Sequence, residues 1–467
     1  MSFSPLFLRS ALALALSAGF AAANAQSVDV AKELQLLKTR ISELESQLNK
    51  TNEKINVGSA SAGGVDAAEF NRVKVKTEAL EDNFEAQGFK GLKLNGFMDP
   101  TFISNKARRS TSMNFLNNFD ARDKGNAYAY DNSYFGNVWL DVQKEVEGGT
   151  KWRLTLAPHK GAASGYNLGS IVHEASVSVP LGDLSTRLIA GQIPDWSGYE
   201  YIASNQNKLI THNMLFDFTM PNFYNGVGIE MTRGQWISKF LVGNMNATRF
   251  DSSNRSGLVT GRVDYAKGEY MGFGGAFQIA KTGGNSVQLA EVDGYYMRGP
   301  WTMQGQFSLG SAKNGAYSGD AKWTGLSGLA AYKLTPRLEL VARADLINNK
   351  RNGGGTLGAD NGDCEQPERD AVGALTGNTT KGLCPDGING FGNAMAFQND
   401  SQAWESTGKG VNRSSLSLGL NYVYTPNVTF KAEYRLDKAT GNVFYYEKDG
   451  SYRNNNRMLG LSTVVSF

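Results

Sequence analysis

The sequence predicts an all-β transmembrane barrel of about 16 antiparallel strands, preceded by an N-terminal α-helical coiled-coil stalk. Three observations predict it. Residues 1–25 read as an export leader, and residues 26–90 carry apolar side chains at helical spacing. From 91 to 467 the period changes to two, in segments joined mostly by short and long connections in turn. Composition agrees: Gly 54, Tyr 19 and Phe 24 against Pro 11 suit many short strands and tight turns. Lys+Arg 47 nearly balances Asp+Glu 44, which argues against a nucleic-acid partner held through phosphates. A mean hydropathy of -0.36 excludes a large helical membrane domain.

In the leader, Arg9 precedes an apolar run from Ser10 to Ala22, and Ala23-Asn24-Ala25 forms a small-residue cleavage pattern before Gln26. Export places Cys364 and Cys384 where disulfides persist. Two cysteines admit one intrachain bridge, the alternative being two free thiols in a loop.

The segment 26–57 places Val30, Leu34, Leu37, Ile41, Leu44, Leu48 and Ile55 along one seam. With Leu34 at the first core position, Glu33 faces Lys38 and Arg40 faces Glu45 of a parallel neighbour, so copies of the chain are expected to associate. A lone amphipathic helix lying on its own domain is the alternative, but a flexible Gly/Ser/Ala linker, 58–64, separates this segment from the rest. A second helical segment, 65–90, repeats the spacing with Phe70, Val73, Leu80 and Phe84. A seam made mostly of Leu does not choose between dimer and trimer.

In the barrel region the segment 428–437 shows the pattern most cleanly. Val428, Phe430, Ala432, Tyr434 and Leu436 share one face, and Lys431, Glu433, Arg435 and Asp437 share the other. Tight joints at Gly148-Gly149, Gly182, Gly234, Gly268, Gly299, Pro336 and Pro426 alternate with mostly longer connections, notably 104–133, 194–223, 311–322 and an external loop at 348–412. The first strand is expected near 92–103 and the last near 457–467, with both ends of the barrel on the short-turn side. Trp152, Trp236 and Trp301 each follow a short turn on the outward face, as an interfacial aromatic girdle requires. The sequence ends with Leu459, Leu461, Thr463, Val465 and Phe467 on one face.

That terminal run looks like the assembly signal of bacterial outer-membrane proteins, which implies the barrel-assembly machinery as a partner through Phe467. The segment Leu188-Ile-Ala-Gly-Gln-Ile-Pro-Asp-Trp-Ser-Gly-Tyr-Glu200, followed by Asn207-Lys-Leu-Ile-Thr-His-Asn-Met-Leu-Phe216, is similar to part of the OmpL-like (type 2) β-barrel porins. The stalk-plus-barrel layout resembles the DcaP-like trimeric porins. These resemblances imply a homotrimer in the outer membrane, the stalk in the periplasm, and passive diffusion of small hydrophilic solutes, organic anions among them.

A barrel of this size encloses water unless a loop fills it, and charges on the inward face then select solutes. Strand parity directs Arg153, Arg187, Lys239, Arg262, Arg343, Lys431 and Arg435 inward, with Glu291, Asp293, Glu339, Asp345, Glu433 and Asp437 as acidic partners. Asp141, Glu174, Glu230 and Asp264 share that parity. For each charge the plain alternative is a solvated residue paired with a neighbour. The connection 194–223 is the candidate constriction loop, carrying Asp195, Glu200, Lys208 and His212 among Leu209, Met214, Leu215 and Phe216. Its apolar content favours folding inward, the alternative being that it extends the flanking strands. No cofactor or metal is expected. His159, His173 and His212 lack the neighbours a serine nucleophile needs, so no catalytic residue is assigned. A plugged barrel acting as a tether, adhesin or receptor is the competing reading.

Overall fold

The computed structural model describes residues 90–107, 110–115, 135–157, 171–246, 257–282, 285–316, 319–349, 351–353, 363–369, 375–383, 393–399 and 403–467, with residues 72 and 74–76. The chain divides into two compact units, Met1–Gly88 and Phe89–Phe467. In the first unit the four described residues are helical. The leader, the coiled coil 26–57 and the linker 58–64 lie outside the described residues, as do Cys384 and therefore the expected bridge.

The second unit is a closed antiparallel barrel of sixteen strands. In chain order they are β1 (Leu92–Met98, resuming as Thr101–Asn105), β2 (Val138–Glu145), β3 (Lys151–Leu156), β4 (Val172–Leu181), β5 (Asp183–Pro194), β6 (Phe223–Arg233), β7 (Trp236–Met245) and β8 (Gly257–Lys267). The remainder are β9 (Met271–Thr282), β10 (Asn285–Arg298), β11 (Trp301–Ala316), β12 (Gly319–Lys333), β13 (Leu338–Asn348), β14 (Arg413–Thr425), β15 (Val428–Ala439) and β16 (Asn455–Ser466). Each strand pairs with the next, and β1 closes the ring on β16 through Phe97 opposite Ser466 and Thr101 opposite Ser462. Closure leaves no open edge, so the backbone groups of the wall are paired within it.

The short joints need backbone that folds back within two residues, which at Gly234 and Gly268 means φ of 60° and 63°, strained for any side chain. On the outward face Phe240, Phe273, Phe307, Leu326, Leu418 and Leu461 are between 42% and 54% exposed. An apolar belt of that extent is stable only against hydrocarbon. Trp236 packs on Tyr265 at 4.9 Å and Trp301 on Tyr332 at 4.7 Å, placing aromatic clusters at the short-turn rim. The final residue joins the seam: Phe467 N donates to Gly96 O at 2.9 Å, and its ring lies where a β-carbon on Gly96 would approach within 2.3 Å.

Four departures from the sequence reading have physical causes. The first strand breaks at Asp99-Pro100, because proline offers no N–H to the ladder. The connection placed at 311–322 is instead a tight joint between Ala316 and Gly319, since β11 and β12 continue beyond the apolar belt in Ser, Gly and Lys, where hydrophobic alternation fades. His173, whose parity reads outward or uncertain in sequence, is buried against Trp139 at 4.8 Å, because a register shift after Thr155 reverses parity in β4. The long connection after β13 contains two hairpins, Asp363–Arg369 with Leu375–Leu383 and Asn393–Gln398 with Ala403–Gly410.

Candidate pore constriction

The connection between β5 and β6 folds into the barrel. It holds a short helix, α1 (Met214–Thr219), capped by Asn213, whose Oδ1 accepts from Phe216 N at 2.8 Å. Met214, Leu215 and Phe218 are fully buried, packed with Ile210 among inward residues Leu289, Trp323, Ile347 and Met458. The barrel's largest apolar cluster is thus inside its lumen, around this loop, and burying it is the driving force for folding inward.

Polar contacts then choose which wall the loop leans on. Glu433 accepts from Ile210 N, Thr211 N and Thr211 Oγ1 at 2.9, 2.8 and 2.7 Å. Lys431 Nζ donates to the carbonyls of Ser204 and Asn207 at 2.7 and 2.6 Å. Lys208 pairs with Glu339 at 2.8 Å, and Gly198 N donates to Glu291 at 2.6 Å. Arg343 is the centre of this fastening. Its guanidinium donates to Glu200 at 2.9 Å, Asp345 at 3.3 Å, Thr211 O at 2.7 Å, Thr211 Oγ1 at 3.2 Å and His212 O at 2.9 Å, which uses all five N–H groups. Arg435 adds a bond to His212 O at 2.9 Å and pairs with Asp437 at 3.3 Å. His212 Nε2 donates to Tyr201 O at 2.6 Å, and its ring stacks on Phe216 at 4.1 Å. All these anchors stand on β10, β13 and β15.

The opposite wall stays open. Between the loop's Trp196 and strands β1 to β7 lies a cavity of about 280 Å³, lined by the inward Lys93, Lys151, Arg153 and Lys239 against Glu145, Glu174 and Glu230, with Lys144 bordering it from the outward face. Arg153 bridges Asp141 at 2.7 Å and Glu174 at 3.3 Å, yet its side chain is 40% exposed. Lys239 pairs with Glu230 at 3.2 Å and lies 5.8 Å from the Trp196 ring centre.

The inward residues named from sequence therefore stand in four different settings. Arg153 and Lys239 face the cavity. Arg343, Asp345, Glu433, Arg435 and Asp437 point inward but are buried beneath the loop, as are Glu339 and Lys431. Arg262 gathers Asp264, Glu291 and Asp293 at 2.7, 3.2 and 2.6 Å into a cluster beside the loop's start. Arg187 instead braces a turn, donating to Ser178 Oγ and Gly149 O, both at 2.6 Å. Sequence reasoning missed Arg413, which pairs with Asp437 at 3.2 Å and sits between the rings of Phe218 and Phe444. Its shared parity with Ser415 and Ser417 was the available signal. The sequence also does not show Tyr224, whose hydroxyl donates to Asp195, or Asn421, which donates to Lys208 O at 2.8 Å.

Two loop carboxyls carry a pH dependence. Burial pushes Glu200 from 4.5 up to about 7, against the opposing pull of Arg343, and burial likewise lifts Asp195 to about 6. The folded loop therefore holds protons that the unfolded chain releases. Its extra stability is complete below the ordinary carboxylate range and is lost as pH rises through about 7. Open-channel noise is expected to grow across that window, and Glu200→Gln is expected to flatten the profile. An unchanged profile in that variant would assign the dependence elsewhere.

The closed antiparallel barrel is a fold known from solved structures, which include outer membrane proteins, an outer membrane channel and a porin. The chain belongs to the DUF3138 family, described as a protein of unknown function, whose pattern matches residues 67–467. OprB of Pseudomonas putida, in its high-pH structure, superposes with a TM-score of 0.51 at 8% identity, covering 84% of this chain and 96% of that one. OmpT of Vibrio cholerae, an outer membrane protein, gives 0.48 at 10% identity, covering 80% and 97%. The outer membrane channel DcaP of Acinetobacter baumannii gives 0.46 at 12% identity, covering 80% and 97%. At such identities the likeness is one of fold. No curated protein matches the chain.

Proposed function

We propose that the chain is an outer-membrane porin through which small hydrophilic solutes, with organic anions preferred, diffuse passively. The observation that carries this reading is the division of the lumen: one wall buries its charges under the loop, while the other presents solvated charges to an open cavity. Four inward basic side chains, Lys93, Lys151, Arg153 and Lys239, stand against Glu145, Glu174 and Glu230, and this balance supports a preference for anions. The short-turn end faces the periplasm, together with the stalk, and Phe467 is the residue read by the barrel-assembly machinery. Cys364 and Cys384 clip the external loop.

Single-channel recording of the refolded protein in a planar bilayer, with reversal potential in a salt gradient, tests the reading. Anion-selective conductance closing in thirds supports a trimeric porin. A folded barrel without conductance selects the competing reading, a plugged tether or receptor, which the apolar packing around α1 favours. Trimerisation is assigned to the stalk. Deleting residues 26–87 is expected to convert the trimer to monomers by mass measurement in detergent, and a persistent trimer would move assembly to the barrel wall.

A further inference from the structure

On the outward face, at the long-loop end of the wall, three cations line one groove; the carboxylate residue that also borders it, Asp437, is held on the lumen side by Arg413 and Arg435, and Lys106 lies 6.0 Å from the Tyr446 ring centre. Lys106 follows β1, Lys438 lies near the end of β15, and Arg457 lies near the start of β16. Lys106 N donates to Arg457 O at 3.0 Å, Arg457 stands opposite Leu436, and Lys438 stands opposite Asn455, so the three occupy neighbouring positions on adjacent strands. All three line one groove of about 410 Å³ and all are exposed. None is ion-paired among the described residues, whereas Arg413 and Arg435, on the lumen side of the same strands, both pair with Asp437.

Single solvated lysines at a rim are ordinary, and Lys281 and Lys322 stand so on β9 and β12. Three like charges side by side repel one another, and an anion held among them removes that repulsion. The groove also indicates what kind of anion. Its lower wall is Leu416 and Leu436, 46% and 43% exposed and continuous with the apolar belt, while Ser414 adds a hydroxyl beside Lys438. Cations beside and just beyond an apolar wall, Arg457 level with Leu436 and Lys438 two residues further along the strand, fit an amphiphile whose charge is at its head.

We propose that this groove binds the phosphorylated headgroup of a membrane lipid, with Lys106, Lys438 and Arg457 on the phosphate and an acyl chain along Leu416 and Leu436. Arg457 offers two parallel N–H groups to phosphate oxygens, and the lysines add point charges. The inference rests on the membrane placement proposed above and is independent of conduction.

The test uses the full chain in neutral detergent, with native mass spectrometry of lipid retained against dimyristoyl phosphatidic acid, dimyristoylglycerol and inorganic phosphate. The wild-type protein is expected to retain the phosphatidic acid in preference to the uncharged lipid. Retention should fall at least about tenfold in Lys438→Gln/Arg457→Gln, recover partly in Arg457→Lys, and stay unchanged in the charge-matched Lys281→Gln/Lys322→Gln. Equal loss in the charge-matched variant would overturn the site in favour of diffuse surface charge. Competition by inorganic phosphate as strong as by the lipid would make it a free-phosphate site, and absence of any preference would also overturn it. Conductance recorded on the same variants is expected to be unchanged, so a failure of lipid binding and a failure of the pore are read separately.

Discussion

Single-channel conductance is expected to rise by about twofold, with large open-channel noise, when Arg343 is replaced by Met, because the loop covers the wall from β10 to β15 and loses its central fastening. The substitution takes from Glu200, Asp345 and Glu433 the buried guanidinium that all three share, leaving Arg435 as the neighbouring cation at Thr211. Breaking a buried pair in this way costs on the order of 3–5 kcal/mol. The barrel wall itself is a continuous hydrogen-bonded ladder that does not depend on this residue, so the cost falls on the loop. Relief comes if residues 195–222 swing away from the wall and let water reach the carboxylates. Conductance and noise equal to the wild type, in a barrel that migrates as folded, would show that Glu433 and Lys431 hold the loop without Arg343.

Neutralising the open wall is expected to act on selectivity instead. In Arg153→Gln/Lys239→Gln the anion-over-cation ratio, taken from the reversal potential, should fall by roughly an order of magnitude. The reason lies in the partners left behind. Arg153 now offsets Asp141 and Glu174, and Lys239 offsets Glu230, so removing the two cations leaves a wall of carboxylates beside the cavity. Such a wall attracts cations. A ratio that stays within about twofold of the wild type would mean that solute passes elsewhere in the lumen.

Much of the fold could be read from period two alone. In β15 the expected inward residues Lys431, Glu433, Arg435 and Asp437 are buried, while Phe430, Tyr434 and Leu436 are exposed, because the pleat fixes side-chain direction once a strand is recognised. Strand ends were harder. Above the apolar belt both faces are polar, so β11 and β12 run on through residues such as Ser311 and Lys322 without an alternation to betray them. A register shift is equally silent, which is how His173 changed face. The site was legible only in direction. Arg153 and Arg343 share inward parity and differ in everything that matters for transport, since one meets solvent and the other is sealed by Glu200, 143 residues away in sequence. Whether a loop covers a charge is a tertiary fact that strand periodicity does not encode.

The lumen's two walls have separate duties, and this bears on how the proposed channel can diversify. Most of the residues that hold the loop stand on β10 and β13 to β15, and those that face the cavity stand mainly on β2 to β7, where Tyr224 and Lys239 also touch the loop; exchanges at Arg153, Glu174 and Glu230 therefore leave the anchors of the first set in place. Cargo preference can then drift by point substitution along one wall while the scaffold that sets pore width is inherited unchanged. In that respect the barrel behaves as two modules built into a single continuous sheet, one conservative and one free to adapt.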